Sequence, residues 1–470
     1  MKVLLIDTGY DAYEIDEPLG IEQLDACIRN EFKNRIELTT IWMIAEPYFK
    51  LQDFYDVVLI SANIYDGGKM EEIIRYYSKA SKKPQIIVGG VAPTLSSKRI
   101  LSLFSNVICI VGEGEDSIIK LLQLYINNND IFNSSDIYKI PNLTFVDKNK
   151  GLIQTNRSVM ALSEIKYLPN RKYLNYTIKN NGLIRIESSR GCDWNQCSFC
   201  MVPWKYANHQ RREFSIDRLS SDIENLIYHN INKIYFTDEE FFSNDIKQVK
   251  KKIELLKKFK KIKPDIQYIA STSVRLIIKL KESDENFWLV AKQAGISKLF
   301  VGIESFSDSQ LKRFCKGNTS DDNIKALNIL HASGIETDIG FIMFDPYVTI
   351  DELEENVDKI IESNFITTTA RINKKLRVIN NTKFYSKLHN TEILKDFDKL
   401  GMDYKWDFAD PKIDSLYEKF ARKEEKNIQK MYFLQSNLRS MNDDNYTNEL
   451  KSLRKELIID FKKLILKEKQ

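Results

Sequence analysis

The chain has 470 residues, enough for two or three domains, and its 43% hydrophobic and 29% charged residues suit buried cores under a polar surface. A net charge of +4 is too small to point to nucleic acid, and no stretch approaches the ~18 uninterrupted apolar residues of a membrane span. Six cysteines in so long a chain do not make a disulfide scaffold, and Met1 leads into KVLLID, a short run that reads as a buried strand rather than a signal-peptide core. A cytoplasmic protein without a membrane span is expected.

Strand and helix signals alternate over the first part of the chain. Strands are expected at 2–7, 35–44, 56–62, 85–90 and 106–112, with helices at 20–32, 69–81, 97–104 and 115–126. Each strand followed by a helix or loop gives an α/β, Rossmann-like, doubly wound parallel sheet over residues 1–140, whose binding edge is the carboxyl end of its strands. Four loops fall there: Thr8-Gly9-Tyr10, Ser61-Ala62-Asn63, Gly89-Gly90-Val91-Ala92 and Gly112-Glu113-Gly114-Glu115. Glycines at strand ends let backbone approach a ligand closely, although a single such loop is as well explained as a tight turn. Residues 141–180 read as a hairpin (142–156) and linker.

A second α/β series occupies 181–390. Its strands are expected at 183–188, 233–238, 266–272, 298–304, 338–344 and 367–372, with helices between them at 215–229, 284–295 and 349–363. Six such units fit a partial (β/α)6 TIM barrel with its chemistry at the strand carboxyl ends. Residues 391–470 read as a charged, helical C-terminal segment, with Lys, Glu and Asp interleaved as on a solvated helix face.

Three cysteines lie within nine residues directly after the first barrel strand: Cys192, Cys197 and Cys200. Thiolates are soft ligands suited to iron–sulfur clusters or zinc. A structural zinc site wants a fourth ligand, for which His209 is the only nearby candidate. Three cysteines in one loop at a barrel mouth favour a 4Fe–4S cluster with one iron left open.

On these residues the chain resembles the radical S-adenosylmethionine (SAM) superfamily, whose usual loop is Cys-x3-Cys-x2-Cys with an aromatic before the last cysteine. Phe199 stands in that aromatic place, but the first gap here holds four residues. A five-residue step reaches up to ~16 Å, so ligation is not hindered. The resemblance implies SAM contacts along the barrel: Asp238, Glu239 and Glu240 after the second strand, Ser271, Ser273 and Arg275 at the third, Glu304 and Ser305 at the fourth, and Ile342 in the apolar stretch of the fifth. A carboxylate facing the SAM ammonium is the physical requirement after the second strand. The front domain resembles the cobalamin-binding class of this superfamily through the stretches PLGIEQLDACIR, VLISANIYDGG, IIVGGVAPTL and VGEGEDSIIKLL. That resemblance makes Thr8, Gly9, Tyr10, Ser61, Ala62, Asn63, Gly89, Gly90, Val91, Gly112, Glu113 and Gly114 candidate cobalamin contacts. The chain has four histidines, all after residue 208, so no front-domain histidine is available to ligate cobalt.

The resemblance implies a 4Fe–4S cluster, SAM and cobalamin as cofactors, a flavodoxin- or ferredoxin-type electron donor, and a small-molecule or peptide substrate. The reaction implied is methyl transfer to an unactivated carbon. An alternative keeps the radical chemistry without methyl transfer, as in epimerisation, ring formation or rearrangement, with Cys315 as the hydrogen donor of an epimerase. A third reading is a cobalamin sensor with a structural metal. Arg371, Lys374, Lys375 and Arg377 could meet an anionic substrate or simply be solvated, and Trp204 and Tyr206 either wall the site or pack.

Overall fold

Apolar runs alternating with amphipathic stretches build the first sheet from β1 (Lys2–Asp7), α1 (Leu19–Phe32), β2 (Glu37–Trp42), β3 (Val57–Ser61), α2 (Lys69–Lys79), β4 (Gln85–Gly89), α3 (Val91–Leu103), β5 (Val107–Ile110), α4 (Glu115–Asn128), β6 (Leu143–Asp147) and β7 (Gly151–Gln154). The computed structural model describes residues 1–470 except 10–14, 65, 67, 133, 364, 366–371, 399–401 and 441–443, with backbone alone over 435–440 and at 444. The strand order is β2-β1-β3-β4-β5-β6-β7, parallel through β5. Both faces of the parallel strands are buried. Leu5, Leu59 and Ile87 pack with α1 and α4, while Leu4, Val58 and Val88 pack with α2 and α3. The order reverses between β1 and β3, the switch point at which a crevice opens beyond the strand carboxyl ends.

The hairpin expected at 142–156 is not a free linker. It adds β6 and β7 antiparallel to the edge of β5, with Phe145 opposite Ile108 and fully buried. Helix α3 begins at Val91, six residues ahead of the expected start. Gly90, at φ 95°, turns the chain directly out of β4, and the helix kinks at Ser96. Val91 and Ala92 therefore open a helix rather than extend a loop.

The second unit runs α5 (Leu174–Lys179), β8 (Arg185–Ile186), β9 (Ser189–Arg190), α6 (Val202–Lys205), β10 (Arg212–Glu213), α7 (Ile216–Tyr228), β11 (Lys233–Phe236), α8 (Ile246–Ile262), β12 (Gln267–Ser273), α9 (Val274–Ser283), α10 (Phe287–Gln293), β13 (Ile296–Glu304), α11 (Asp308–Arg313), α12 (Ser320–Ala332), β14 (Glu336–Phe341) and α13 (Ile350–Glu362). Strands β8, β11, β12, β13 and β14 form one parallel sheet, an open barrel wall. The sixth strand, expected at 367–372, lies outside the described residues apart from Ile372. Side-chain caps set the helix starts: Ser215 on α7, Asp245 on α8, and reciprocal capping boxes at Thr319–Asp322 and Thr349–Glu352.

The C-terminal segment is α14 (Lys383–Leu388), an antiparallel pair β15 (Leu394–Asp398) and β16 (Asp403–Trp406), and the helices α15 (Pro411–Ser440) and α16 (Asp444–Lys469). It packs against the cations just before it that could meet a substrate or be solvated. Lys375 sits 4.5–4.8 Å from the ring centres of Trp406, Phe408 and Tyr417, Lys374 lies over Tyr432, and Arg377 pairs with Asp403 at 2.8 Å. They fasten this segment to the barrel; Arg371 lies outside the described residues. Among the described residues no helix is long and apolar enough to cross a membrane.

Buried ion pairs join the two α/β units. Arg171, in the linker, holds Glu17 of the front domain at 2.8 Å and Asp222 of α7 at 2.7 Å. Arg190, just before the cysteine loop, meets Glu115 at 2.6 Å, Glu113 at 3.3 Å and its neighbour Glu187 at 2.9 Å. Arg212 grips Glu113 from the other side at 2.7 Å.

Candidate functional site

The cysteine loop leaves β9 at Gly191, whose φ of 96° and closeness to Arg211 favour glycine there. The loop then straddles the turn that follows α11. Ser198 donates from its backbone to the Phe314 carbonyl at 2.8 Å and from its hydroxyl to the Arg313 carbonyl at 3.0 Å, while the Trp194 indole donates to the Cys315 carbonyl at 2.8 Å. Gly317, at φ 71°, lies flat against Trp194, where a Cβ would come within 2.3 Å of the ring. Phe199 closes the floor by packing edge-on to Phe314.

Cys192, Cys197 and Cys200 are free thiols and half-buried. Burial pushes the thiols of Cys192 and Cys200 up to about 12, helped at Cys192 by the Glu240 carboxylate. All three act electrostatically on one buried ammonium, Lys316. Burial works to lower the Lys316 pKa, but Glu304 and the three sulfurs raise it. Among the described residues no three His, Cys, Asp or Glu side chains converge to hold a single ion. The donor set is three soft sulfurs on one loop beside a cation, a chemistry that fits an iron–sulfur cluster.

The acidic triplet after β11 is committed mostly to this loop. Asp238 is buried and accepts from the Ser188 amide at 2.8 Å and from the Ser188 and Ser189 hydroxyls at 2.5 and 2.6 Å. Glu239 accepts from the Gly191 amide, Lys205 and Tyr206. Burial pulls the Glu239 pKa up, but Lys205 and these hydrogen bonds hold it below the ordinary carboxylate range. Glu240 accepts from the Asp193 amide at 3.0 Å, the Cys192 thiol at 3.3 Å and the Ser273 hydroxyl at 2.5 Å, so it ties the loop to the end of β12.

Beyond β12, Arg275 stacks on the Trp194 ring at 3.9 Å and acts on Cys197; among the described residues no carboxylate pairs with it. At the end of β13 a register shift places Glu304 in the left-handed region, φ 67°, a strained conformation for a residue with a side chain. Its carboxylate faces Lys316 at 3.6 Å. Gly302 and Gly340 leave that space open: a Cβ on Gly302 would stand 2.9 Å from the Glu304 carboxylate. The Ile342 amide donates to the Glu304 carbonyl at 2.8 Å.

Thus Phe199, Glu239, Glu240, Ser273, Arg275, Glu304 and Ile342 gather around the cysteine loop or its carboxylate neighbours. Asp238 instead supports the strand turn behind it, and Ser271 contributes its backbone carbonyl to the Phe241 amide. Ser305 is turned away: its buried hydroxyl lies 2.6 Å from Gln310 and 2.9 Å from Asn356, beneath α11 and α13. Cys315 is half-buried at φ 55°, beside the loop.

A cavity of about 220 Å³ opens where the front sheet's carboxyl edge meets the barrel. Its walls combine apolar strand ends (Leu5, Leu59, Ile110), loop residues Ser61, Gly89, Gly90, Gly112, Glu113 and Gly114, and barrel residues Glu187, Arg190, Lys205 and Tyr206. A Cβ on Gly89 would meet nothing within 4 Å, whereas one on Gly112, at φ 91°, would stand 2.5 Å from the Lys205 carbonyl. Thr8, Gly9, Ala62, Asn63 and Val91 do not line the cavity. Thr8 and Ser61 bond to each other across the sheet top, and Ser61 and the Gly9 amide hold buried Asp7. Tyr10 lies outside the described residues. Glu113 is consumed by Arg190 and Arg212 rather than left for a ligand.

Helix α6, the continuation of the cysteine loop, wedges between the units. The Trp204 indole donates to the Thr94 carbonyl of α3 at 3.0 Å, and Arg157 stacks on that indole while donating to the Trp204 and Lys205 carbonyls. Lys316, Arg190, Lys205 and Arg212 were not among the expected site residues; Lys316 directly follows Cys315 and Arg190 stands two residues before Cys192, which was the available signal.

Residues 186–360 match the Radical SAM superfamily. The chain is 26% identical over 413 residues to a 4′-phospho-dehydrooxetanocin synthase of Priestia megaterium; that is 82% of this chain but 53% of the relative, so the chain spans about half the relative's length. Among solved structures, it superimposes with TM-score 0.81 on the cobalamin-dependent SAM radical enzyme OxsB with aqua-cobalamin and SAM bound, at 19% identity over 97% of this chain and 72% of that one. It superimposes with TM-score 0.66 on the radical SAM methyltransferase TsrM of Kitasatospora setae with cobalamin and a 4Fe–4S cluster bound, at 16% identity over 84% and 76%. At these identities the likeness to the solved structures is one of fold.

Proposed function

On the premise that this chain belongs to the radical SAM superfamily, we propose that it is a cobalamin-dependent radical SAM enzyme transferring a methyl group to an unactivated carbon of a peptide or other small molecule. One observation carries the reading: three thiols at the barrel mouth lie on a loop whose continuation, Lys205 and Tyr206, walls the cavity at the front sheet's switch-point edge. When bound, a reduced cluster would supply the electron that cleaves SAM, and cobalamin the methyl group.

Within this reading Cys192, Cys197 and Cys200 would hold the cluster, and Glu240 fixes the loop by its bonds to Asp193 and Ser273. Arg275 and Lys316 are cations suited to a carboxylate, while Glu304, held by the strained end of β13, offers acceptors to an ammonium or sugar hydroxyl. Phe199 and Phe314 keep water from the floor. The cavity is smaller than the ~300–1,000 Å³ usual for a whole ligand. It would suit part of a larger molecule rather than the whole. Lacking a histidine before residue 209, the front domain would hold a corrinoid without imidazole ligation. A flavodoxin- or ferredoxin-type donor belongs to the same proposal.

A second reading, ring formation or rearrangement without methyl transfer, is supported by the name of the Priestia megaterium relative, a synthase. The test is anaerobic reconstitution with iron, sulfide and hydroxocobalamin, followed by measurement of iron content, retained cobalamin and 5′-deoxyadenosine from SAM. About four irons per chain lost in Cys192→Ala, together with 5′-deoxyadenosine formation, is the expected result. Intact cluster and cleavage in that variant would falsify the assignment. Transfer of labelled methyl from SAM to a product carbon separates the two readings.

A further inference from the structure

Glu239 divides its two oxygens between the two halves of the molecule. Oε1 accepts from the Lys205 ammonium at 2.7 Å and the Tyr206 hydroxyl at 2.8 Å, both residues of the cavity wall. Oε2 accepts from the Gly191 amide at 3.1 Å, one residue before Cys192. A carboxylate is rigid and planar, so a change in how Lys205 and Tyr206 present their protons changes what Oε2 can offer the loop. Tyr206 is buried, with Lys205 and Arg212 over its ring, and Gly191 is confined by Arg211. Arg190 adds a parallel connection: it lines the same cavity, immediately precedes Gly191, and pairs with Glu113 and Glu115 of the front edge.

We propose that Glu239 is a positioning residue that couples occupancy of the front cavity to the geometry of the cluster loop, through Lys205 and Tyr206 on one side and the Gly191 amide on the other. The inference rests on the cavity taking part of a corrinoid, as argued above. Coupling of this kind is reciprocal: if a filled cavity alters the loop, a filled loop alters affinity at the cavity by the same factor.

The experiment is a visible titration of hydroxocobalamin into cluster-loaded and cluster-free protein, for the wild type, Tyr206→Phe and Glu239→Gln, with the EPR spectrum of the reduced cluster recorded before and after. Wild-type Kd values should differ between the two forms by roughly fivefold or more, and cobalamin should move the cluster's g values. In both variants the ratio of the two Kd values and the shift in g should fall below the wild-type ones, further in Glu239→Gln than in Tyr206→Phe, which keeps the Lys205 bond, with the Arg190 route supplying what coupling is left; a ratio and shift unchanged in both variants overturn the role of Glu239. Equal wild-type Kd values with unchanged EPR overturn the coupling while leaving the corrinoid reading intact. Failure of the wild type to take up hydroxocobalamin overturns the front-domain reading and the coupling with it. Tyr206→Phe keeps the ring and its packing, so it decides the question if Glu239→Gln lowers the melting temperature.

Discussion

The two carboxyl edges that face each other are made differently. The front edge is built largely from backbone: Gly89, Gly90, Gly112 and Gly114 surround the cavity, and its buried acids are already committed, Asp7 to Ser61 and the Gly9 amide, Glu113 and Glu115 to arginines of the barrel side. The barrel edge is built from side chains: three thiols, Glu239, Glu240 and Glu304, and the cations Lys205, Arg275 and Lys316. A backbone edge selects by shape and tolerates little added volume. A side-chain edge works by charge, and a lost partner leaves a buried charge uncompensated.

Removal of the ion pair that joins the edges should have the largest effect. Arg190→Ala leaves Glu113, Glu115 and Glu187 without their shared cation, and a loss of about 3–5 kcal/mol is expected in chemical denaturation. Arg190→Lys should recover only part of it, because an ammonium lacks the forked geometry. If the alanine variant unfolds at the wild-type midpoint, the seam is not held this way.

A pair of glycine variants probes the front edge. Gly112→Ala forces a side chain into the left-handed region and against the Lys205 carbonyl, and should cost about 1–3 kcal/mol. Gly89→Ala projects into open space and should change stability by less than about 0.5 kcal/mol while weakening hydroxocobalamin uptake. Equal destabilisation by both would contradict the distinction drawn between a docking glycine and a lining one.

Two further effects are in pH, with opposite signs in the two regions. In the front domain, burial and the neighbouring Glu17 push Glu22 up to about 8, against the opposing Arg171 and Tyr173 amide. A raised carboxyl pKa contributes stability that is complete below the unfolded value of ~4.3 and is lost as pH rises through about 8. In the barrel, burial and then Arg211 lower Lys252 to about 8, against Glu213 and Asp238. Its folded state binds fewer protons than the unfolded one between about 8 and ~10.4, so this group raises stability with pH across that window. Denaturation midpoints of Glu22→Gln and Lys252→Met should lose the falling and the rising limb respectively; a slope retained in either variant belongs to another group.

The periodicities that made strands and helices legible in the sequence are local, and so were the glycines and the cysteine loop. What could not be read there depends on pairing between distant residues. Nothing local says that residues 143–147 extend the first sheet beside β5, or that Asp403–Trp406 returns antiparallel on Leu394–Asp398. Arg190 finds Glu115 across 75 positions, and Lys205 finds Glu239 across 34. The acidic triplet was visible as charge, but its division of labour was not, because a carboxylate facing SAM and one bracing a strand turn look alike in sequence. Lys375 was open between a substrate contact and a solvated cation for the same reason: a cage formed by Trp406, Phe408 and Tyr417 is invisible until the chain folds back.

The shared wall of the cavity has a consequence for biogenesis. Leu5, Leu59 and Ile110 supply one side of it, and Arg190, Lys205 and Tyr206 the other. A front domain made ahead of the barrel would possess its strands but only half a receptacle. If the proposed corrinoid reading holds, a fragment ending near residue 156 should consequently take up hydroxocobalamin poorly even when natively folded.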